Sequence, residues 1–428
     1  MFKIFIDFFK NKDIRKKIFF TLGIMFIYRL GSSIPAPGVN TTVIKLSANS
    51  LLNMMSILGG GSLEQMSVFS LGVGPYITAS IIIELLAMDI IPPLAEMAKS
   101  GKKGRQQMDR ITRYLGVVMA LVQGYFIVQY LDHAYAGYNL IDNPGFTSYL
   151  YISIIFTAGT MFLLWLADQI TSKGVGNGTS MIIFAGIVAD MPTTFRIVYE
   201  AFLGENATSN LGWAGFVAYI IMYIAIIVLV VVMQMAERRI PIQQSSSRAL
   251  NKTKGDLNYI PLKINSASVI PVIFASALIQ GPQIIASWVN QDAYQWLVKI
   301  CDFTSPWFLC FYGVLIFLFT FFYTNLTIDP QKMSEDLGKN GQYIPGVRPG
   351  SETREYVSKV LNRITVLGAL LLVFIALLPY VISNLTDLPQ KAAIGGTGII
   401  IVVGVAMDTI KQMKSQLTSK QYKSFVGK

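Results

Sequence analysis

The chain reads as an all-α polytopic membrane protein of about ten transmembrane helices, arranged as two five-helix halves that enter the membrane in opposite senses. Three observations carry this reading. Only 14% of the 428 residues are charged and 53% are hydrophobic, with a mean hydropathy of +0.51; a soluble domain carries about a quarter charged residues. The basic residues gather in alternate loops. A short proline-led motif recurs at the matching place in each half.

The spans come first. A hydrocarbon core about 30 Å thick needs about 20 apolar residues per helix. On that measure apolar runs lie near 18–34, 67–90, 113–131, 150–168, 179–199, 213–235, 263–288, 305–326, 363–383 and 393–410. None alternates at period two, which argues against an outer-membrane barrel. Helices then remain the way to satisfy backbone groups in lipid.

Charge orients these spans. A net charge of +11 is compatible with nucleic-acid binding, but its distribution points to a membrane. Lys3, Lys10, Lys12, Arg15, Lys16 and Lys17 precede the first span, and Lys99, Lys102, Lys103, Arg105, Arg110 and Arg113 follow the second. Further groups follow the sixth span (Arg238 to Lys263), the eighth (Lys332 to Arg363) and the tenth (Lys411 to Lys428). The opposite side keeps Lys45, Arg196, Lys299 and Lys391, with Arg29 in or at the end of span one. This is the positive-inside pattern, and it predicts cytosolic N- and C-termini. The first apolar run is followed by Ile34-Pro35-Ala36-Pro37-Gly38, not by a small-x-small site, so a cleaved leader is not expected there.

The repeat is Pro75-Tyr76-Ile77-Thr78-Ala79-Ser80 against Pro271-Val272-Ile273-Phe274-Ala275-Ser276. Interrupted spans at corresponding places in inverted halves point to a central site. The division predicted is 1–200 and 201–428. In the first outer loop, Leu51-Leu52-Asn53-Met54-Met55-Ser56-Ile57-Leu58 precedes Gly59-Gly60-Gly61. That apolar piece is too short to span; it is re-entrant or packed in a cavity, or else an amphipathic surface helix. The glycines permit backbone swings other residues resist. Two long polar loops, 236–262 and 327–362, lie on the basic side. The second holds Tyr343-Ile344-Pro345-Gly346-Val347-Arg348-Pro349-Gly350, whose prolines and glycines set turns that present Arg348 at a rigid tip.

Several chemistries are excluded. Lys173-Gly174-Val175-Gly176-Asn177-Gly178 lacks the preceding strand of a dinucleotide site and reads as an inter-helix turn. No Walker lysine, zinc helix or nucleophile elbow is present. Cys301 and Cys310 form a weak pair, and His133 falls near a span end. The expectation is a chain with no cofactor, no metal and no catalysis. Glu84 and Asp168 are the main carboxylates of the spans; an ion-coupled transporter would place several acids or histidines at mid-depth. The spans instead offer Val73, Ile77, Ile183, Ile273 and Ile401. Such a set either packs helices together or closes a pore by excluding water.

Taken together, these motifs resemble the SecY family. The match rests on Arg29-x-Gly31 with Ile34-Pro35-x-Pro37-Gly38, on Phe69 through Ile81, and on Gly174-x-Gly176-Asn177-Gly178 before Ile182 to Gly186. It continues through Pro261-Leu262-Lys263-Ile264-Asn265, Ile270 to Ser276, Pro345 to Gly350 and Gly395-Gly396-Thr397. The resemblance implies a clamshell around an hourglass pore that passes unfolded secretory polypeptides and releases membrane segments sideways. It makes Val73, Ile77, Ile183, Ile273 and Ile401 the pore ring. Leu51, Leu52, Met54, Met55, Ile57, Leu58 and Gly59 to Gly61 become a plug spanning about 50–62. Thr78, Gln123 and Asn265 become the polar cluster of a lateral gate between spans two, three and seven. Arg238, Arg239 and Arg348 become docking residues for cytosolic partners. The partners implied are SecE, SecG, the motor ATPase SecA, the ribosome, secretory and membrane protein precursors and anionic lipids. Glu84 departs from the family, where glutamine is common. The competing expectation is an inverted-repeat secondary transporter of a small solute.

Overall fold

A computed structural model describes residues 10–40, 59–88, 90–135, 140–141, 143–204, 212–244, 259–288, 305–386 and 390–426. The first half holds α1 (Lys12–Ser32), α2 (Gly74–Leu86), α3 (Pro92–Lys99), α4 (Lys102–Ala134), α5 (Phe146–Lys173) and α6 (Gly178–Leu203). The second holds α7 (Gly212–Met235), β1 (Glu237–Pro241), β2 (Gln243–Gln244), β3 (Tyr259–Lys263), α8 (Ile270–Trp288) and α9 (Pro306–Thr327). It ends with α10 (Pro330–Lys339), β4 (Gln342–Tyr343), α11 (Ser351–Thr386) and α12 (Gln390–Val426). Among the described residues, six helices are long and apolar enough to cross a membrane unaided: α4, α5, α6, α7, α9 and α11. With α1, α2, α8 and α12 they make the ten-helix membrane fold.

Helix ends follow local chemistry. The Asn11 side chain accepts from the Asp13 N–H to cap α1. The Asn177 side chain accepts from the Thr179 and Ser180 N–H groups to cap α6, as an N-cap asparagine does. The Gly174–Asn177 stretch is therefore an inter-helix turn, with Gly178 so close to α5 that a Cβ there would lie 1.8 Å from the Ala167 carbonyl oxygen.

The runs read as spans from 67 and from 263 become helical only at Gly74 and Ile270. Pro75 and Pro271 open these helices rather than interrupt them. Proline has no N–H and its φ suits the first turn, where no intrahelical partner is needed. At 13 residues, α2 extends only about 20 Å, so the buried turns from Gly59 to Val73 complete its passage.

Each half packs within itself, between helices both near and far in sequence. In the first, α4 packs on α2 and α5, and α1 on α5 and α6; in the second, α9 packs on α8 and α11, and α12 on α7 and α11. The halves touch along two seams. On one, α8 packs on α2 and α4; on the other, α6 packs on α12 and α7.

The two polar loops are not separate. In an antiparallel ladder Glu237 pairs with Lys263 and Pro241 with Tyr259. Gln243 of the first loop pairs with Tyr343 of the second. Ile240, Ile242, Leu262, Leu337, Ile344 and Val357 are buried together beneath them. Apolar burial thus welds both loops into one platform.

Candidate functional site

The aliphatic residues singled out by sequence converge. Val73 precedes α2, Ile77 lies on α2, Ile183 on α6, Ile273 on α8 and Ile401 on α12. Val73, Ile183, Ile273 and Ile401 are buried in one cluster, and Ile77 packs half-buried against it. The cluster joins both seams. Its contacts are dispersion contacts of about 0.1–0.2 kcal/mol per atom pair, without direction. Such a junction excludes water and is held without directional bonds.

The glycine turn lies against this cluster. The Tyr28 hydroxyl of α1 donates to the Gly59 carbonyl at 2.8 Å, and the Arg29 guanidinium donates to the Gly60 carbonyl at 2.8 Å. Gly60 has φ +69° and Gly61 φ +79°, the left-handed region that favours glycine. A Cβ on Gly60 would sit 2.7 Å from Gly186 Cα, one turn beyond Ile183 on α6. Gly59 in turn lies beside Gly72, whose added Cβ would meet Gly59 Cα at 3.5 Å. The turn is therefore wedged between α1, α6 and the start of α2. Leu51, Leu52, Met54, Met55, Ile57 and Leu58 lie outside the described residues. Sequence reasoning missed Tyr28, although a tyrosine four residues before the end of α1 is a detectable signal.

The polar trio is distributed differently from a compact cluster. Thr78 Oγ1 donates to the Gly74 carbonyl of its own helix at 3.2 Å. Asn265 Nδ2 donates to the Ser268 carbonyl at 2.7 Å and approaches the Met233 sulfur at 3.9 Å. Gln123 is half-buried on α4. Among the described residues no hydrogen bond joins the three, although their helices adjoin where α8 meets α2 and α4. Glu84 Oε1 accepts from Ser80 Oγ at 3.3 Å, while its Oε2 is buried without a partner. Asp168 pairs with Arg113 at 2.9 Å on the surface.

The three arginines share the platform. Arg239 pairs with Glu237 at 2.9 Å and lies 4.8 Å over the Tyr259 ring; the Glu237 hydrogen bond raises its already high pKa. Arg238 neighbours it, exposed on β1. The Arg348 side chain is 87% exposed, with Glu352 at 3.9 Å. Its backbone is fixed, since the Thr353 hydroxyl donates to the Arg348 carbonyl at 2.8 Å and Gly346 and Gly350 take φ +82° and +105°. Exposed pairs of this kind contribute little, so both exposed guanidiniums are available to a partner.

Ten membrane helices in two halves, meeting through an aliphatic core and carrying a platform of strands with exposed arginines, define a helical membrane channel or transporter. The SecY family model matches residues 67–410. Protein translocase subunit SecY of Bacillus licheniformis is 43% identical over 430 residues, covering all of both chains. That of Staphylococcus carnosus is 40% identical over 432 residues with the same coverage. A solved protein-conducting channel shares the fold with a TM-score of 0.66 at 19% identity, over 93% of this chain and 91% of that one. Sec61 in a canine ribosome–channel complex from the endoplasmic reticulum does so at 0.63 and 18%, over the same shares. The chain belongs to the SecY family.

Proposed function

We propose that this chain is the channel-forming subunit of a Sec translocase, passing unfolded polypeptides across the cytoplasmic membrane and releasing apolar segments sideways between α2 or α4 and α8. The observation that carries it is the convergence of Val73, Ile77, Ile183, Ile273 and Ile401 from four helices of both halves. Aliphatic groups hold no substrate side chain strongly, so varied sequences slide past while ions are excluded. The residues Leu51 to Gly61 act as the plug, tethered at Gly59 and Gly60. Thr78, Gln123 and Asn265 line the lateral gate where α8 meets α2 and α4; no hydrogen bond joins them among the described residues, so packing holds this seam, and it yields to an apolar segment.

Residues 1–200 and 201–428 are the two moving halves. Both termini are cytosolic, as the basic loops require. Arg238, Arg239 and Arg348 dock SecA or the ribosome, which supply the energy; SecE and SecG complete the membrane complex, and anionic lipids meet the basic loops. A small-solute transporter would need a charged or polar site at mid-membrane, and the aliphatic junction provides no such chemistry. Site-specific crosslinking of a stalled secretory precursor tests the reading. Crosslinks are expected at Ile77 and Ile273; their absence, with crosslinks elsewhere on the chain, would overturn the ring.

A further inference from the structure

The segment between β3 and α8 is tied down unusually well for a linker. After β3 the ladder continues, because the Ile264 N–H donates to the Ala236 carbonyl at 3.0 Å. Asn265 and Ala267 are buried. Gln234 of α7 donates through Nε2 to Ser268 Oγ at 3.3 Å, and Ser268 Oγ donates to Asp408 Oδ2 of α12 at 2.9 Å. Lys411 of α12 donates to the Gln234 backbone carbonyl at 2.8 Å. One serine thus links α7, the linker and α12.

This knot carries internal conflict. Ser268 has φ +55°, a left-handed conformation that a serine seldom adopts. The side-chain oxygens of Gln234 and Asn265 are buried there without hydrogen-bond partners. Unpaired buried acceptors and left-handed backbone both disfavour the arrangement, while the Ser268 hydrogen bonds favour it. Interactions balanced in this way suit an element with two states.

Its position gives that balance a use. The knot lies between β1–β3, which carries Arg238 and Arg239, and α8, which carries Ile273. On its other side α11 blocks retreat, since a Cβ on Gly368 would lie 2.3 Å from the Ile264 carbonyl oxygen. We propose that Ser268 is a latch: a partner docked on the β1–β3 strands shifts the ladder, the Ser268–Asp408 and Ser268–Gln234 bonds break, and α8 moves away from α2. The latch rests on the channel reading, and it names Ser268 and Asp408 as positioning residues for opening.

The test uses the complete translocase in proteoliposomes, with motor-driven export of an intact precursor and of one whose signal segment is defective. Ser268→Ala removes both side-chain bonds and keeps the strained backbone. It is expected to raise the defective-to-intact export ratio about fivefold, as the loss of one to two modest hydrogen bonds implies. Ser268→Gly also removes the bonds but relieves the strain, so its ratio should fall between Ser268→Ala and wild type. Asp408→Ala, at the exposed end of the network, removes the Ser268–Asp408 bond alone; it should raise the ratio by less than Ser268→Ala and carries the test if that variant fails to accumulate. A purely structural role would lower both precursors together and leave the ratio unchanged. An unchanged ratio in Ser268→Ala and Asp408→Ala, or a higher ratio for Ser268→Gly than for Ser268→Ala, would overturn the latch. Should precursor crosslinks at Ile77 and Ile273 still form in that case, the channel reading survives without it.

Discussion

Gly60→Ala puts the glycine turn under the most direct strain. An L side chain at φ +69° costs about 1–2 kcal/mol in the left-handed region. The new Cβ would lie 2.7 Å from Gly186 Cα and 3.1 Å from the Tyr28 hydroxyl. The first neighbour is backbone, so the turn itself must move. That movement stretches the Tyr28–Gly59 and Arg29–Gly60 hydrogen bonds, both 2.8 Å and each worth about 1 kcal/mol net. The docked turn should lose about 2–4 kcal/mol, which is about 30-fold or more in its equilibrium.

The measurement is resting ion conductance of the reconstituted translocase in a planar bilayer, with no precursor present. Open time should rise by at least an order of magnitude. Gly38→Ala is the control: its φ is +84°, but its Cβ would meet nothing within 4 Å, so it imposes backbone strain without undocking the turn. Tyr28→Phe should give a smaller rise, from one lost bond. Wild-type conductance in Gly60→Ala at normal subunit levels would show that the turn does not hold the closed state.

Three further outcomes follow from the same geometry. Arg348→Glu should cripple motor-driven export while the subunit still inserts normally, because the Arg348 backbone is held by Thr353 and its side chain is exposed; wild-type export rates would defeat the docking role. Ile344→Ala, at 2% exposure in the platform core, should cost about 2–4 kcal/mol and hasten proteolytic cleavage of both polar loops together; cleavage of only the second loop would show that the two are not one unit. Asn265→Leu removes the 2.7 Å bond to the Ser268 carbonyl and should let precursors with defective signal segments through, scored as export of those precursors against an intact one.

Much of the architecture was legible because a membrane restricts the choices. Long apolar runs, basic residues clustered in alternate loops and proline-led repeats follow from backbone satisfaction and charge placement, and these are local or additive properties of a sequence. The span starts at Gly74 and Ile270 were less legible. Apolar residues fill the turns before them as readily as helix, so hydropathy does not separate Val68 or Val269 from the spans that follow. Thr78 and Asn265 were legible as polar residues in apolar surroundings, but not in their partners. A threonine on a helix can satisfy itself on its own preceding turn, and Asn265 found Ser268 and Met233 instead.

The sequence alone determined a helical, multi-pass membrane protein with its basic residues gathered in alternate loops, since composition and periodicity dictate how single segments meet lipid and water. Only the tertiary structure decided which isoleucines share a core, that Tyr28 and Arg29 grip the glycine turn, that two distant loops make one platform, and that Ser268 joins α7 to α12. Those facts depend on contacts between residues far apart in the chain, and dispersion and hydrogen bonding carry no record of such pairing in any one segment.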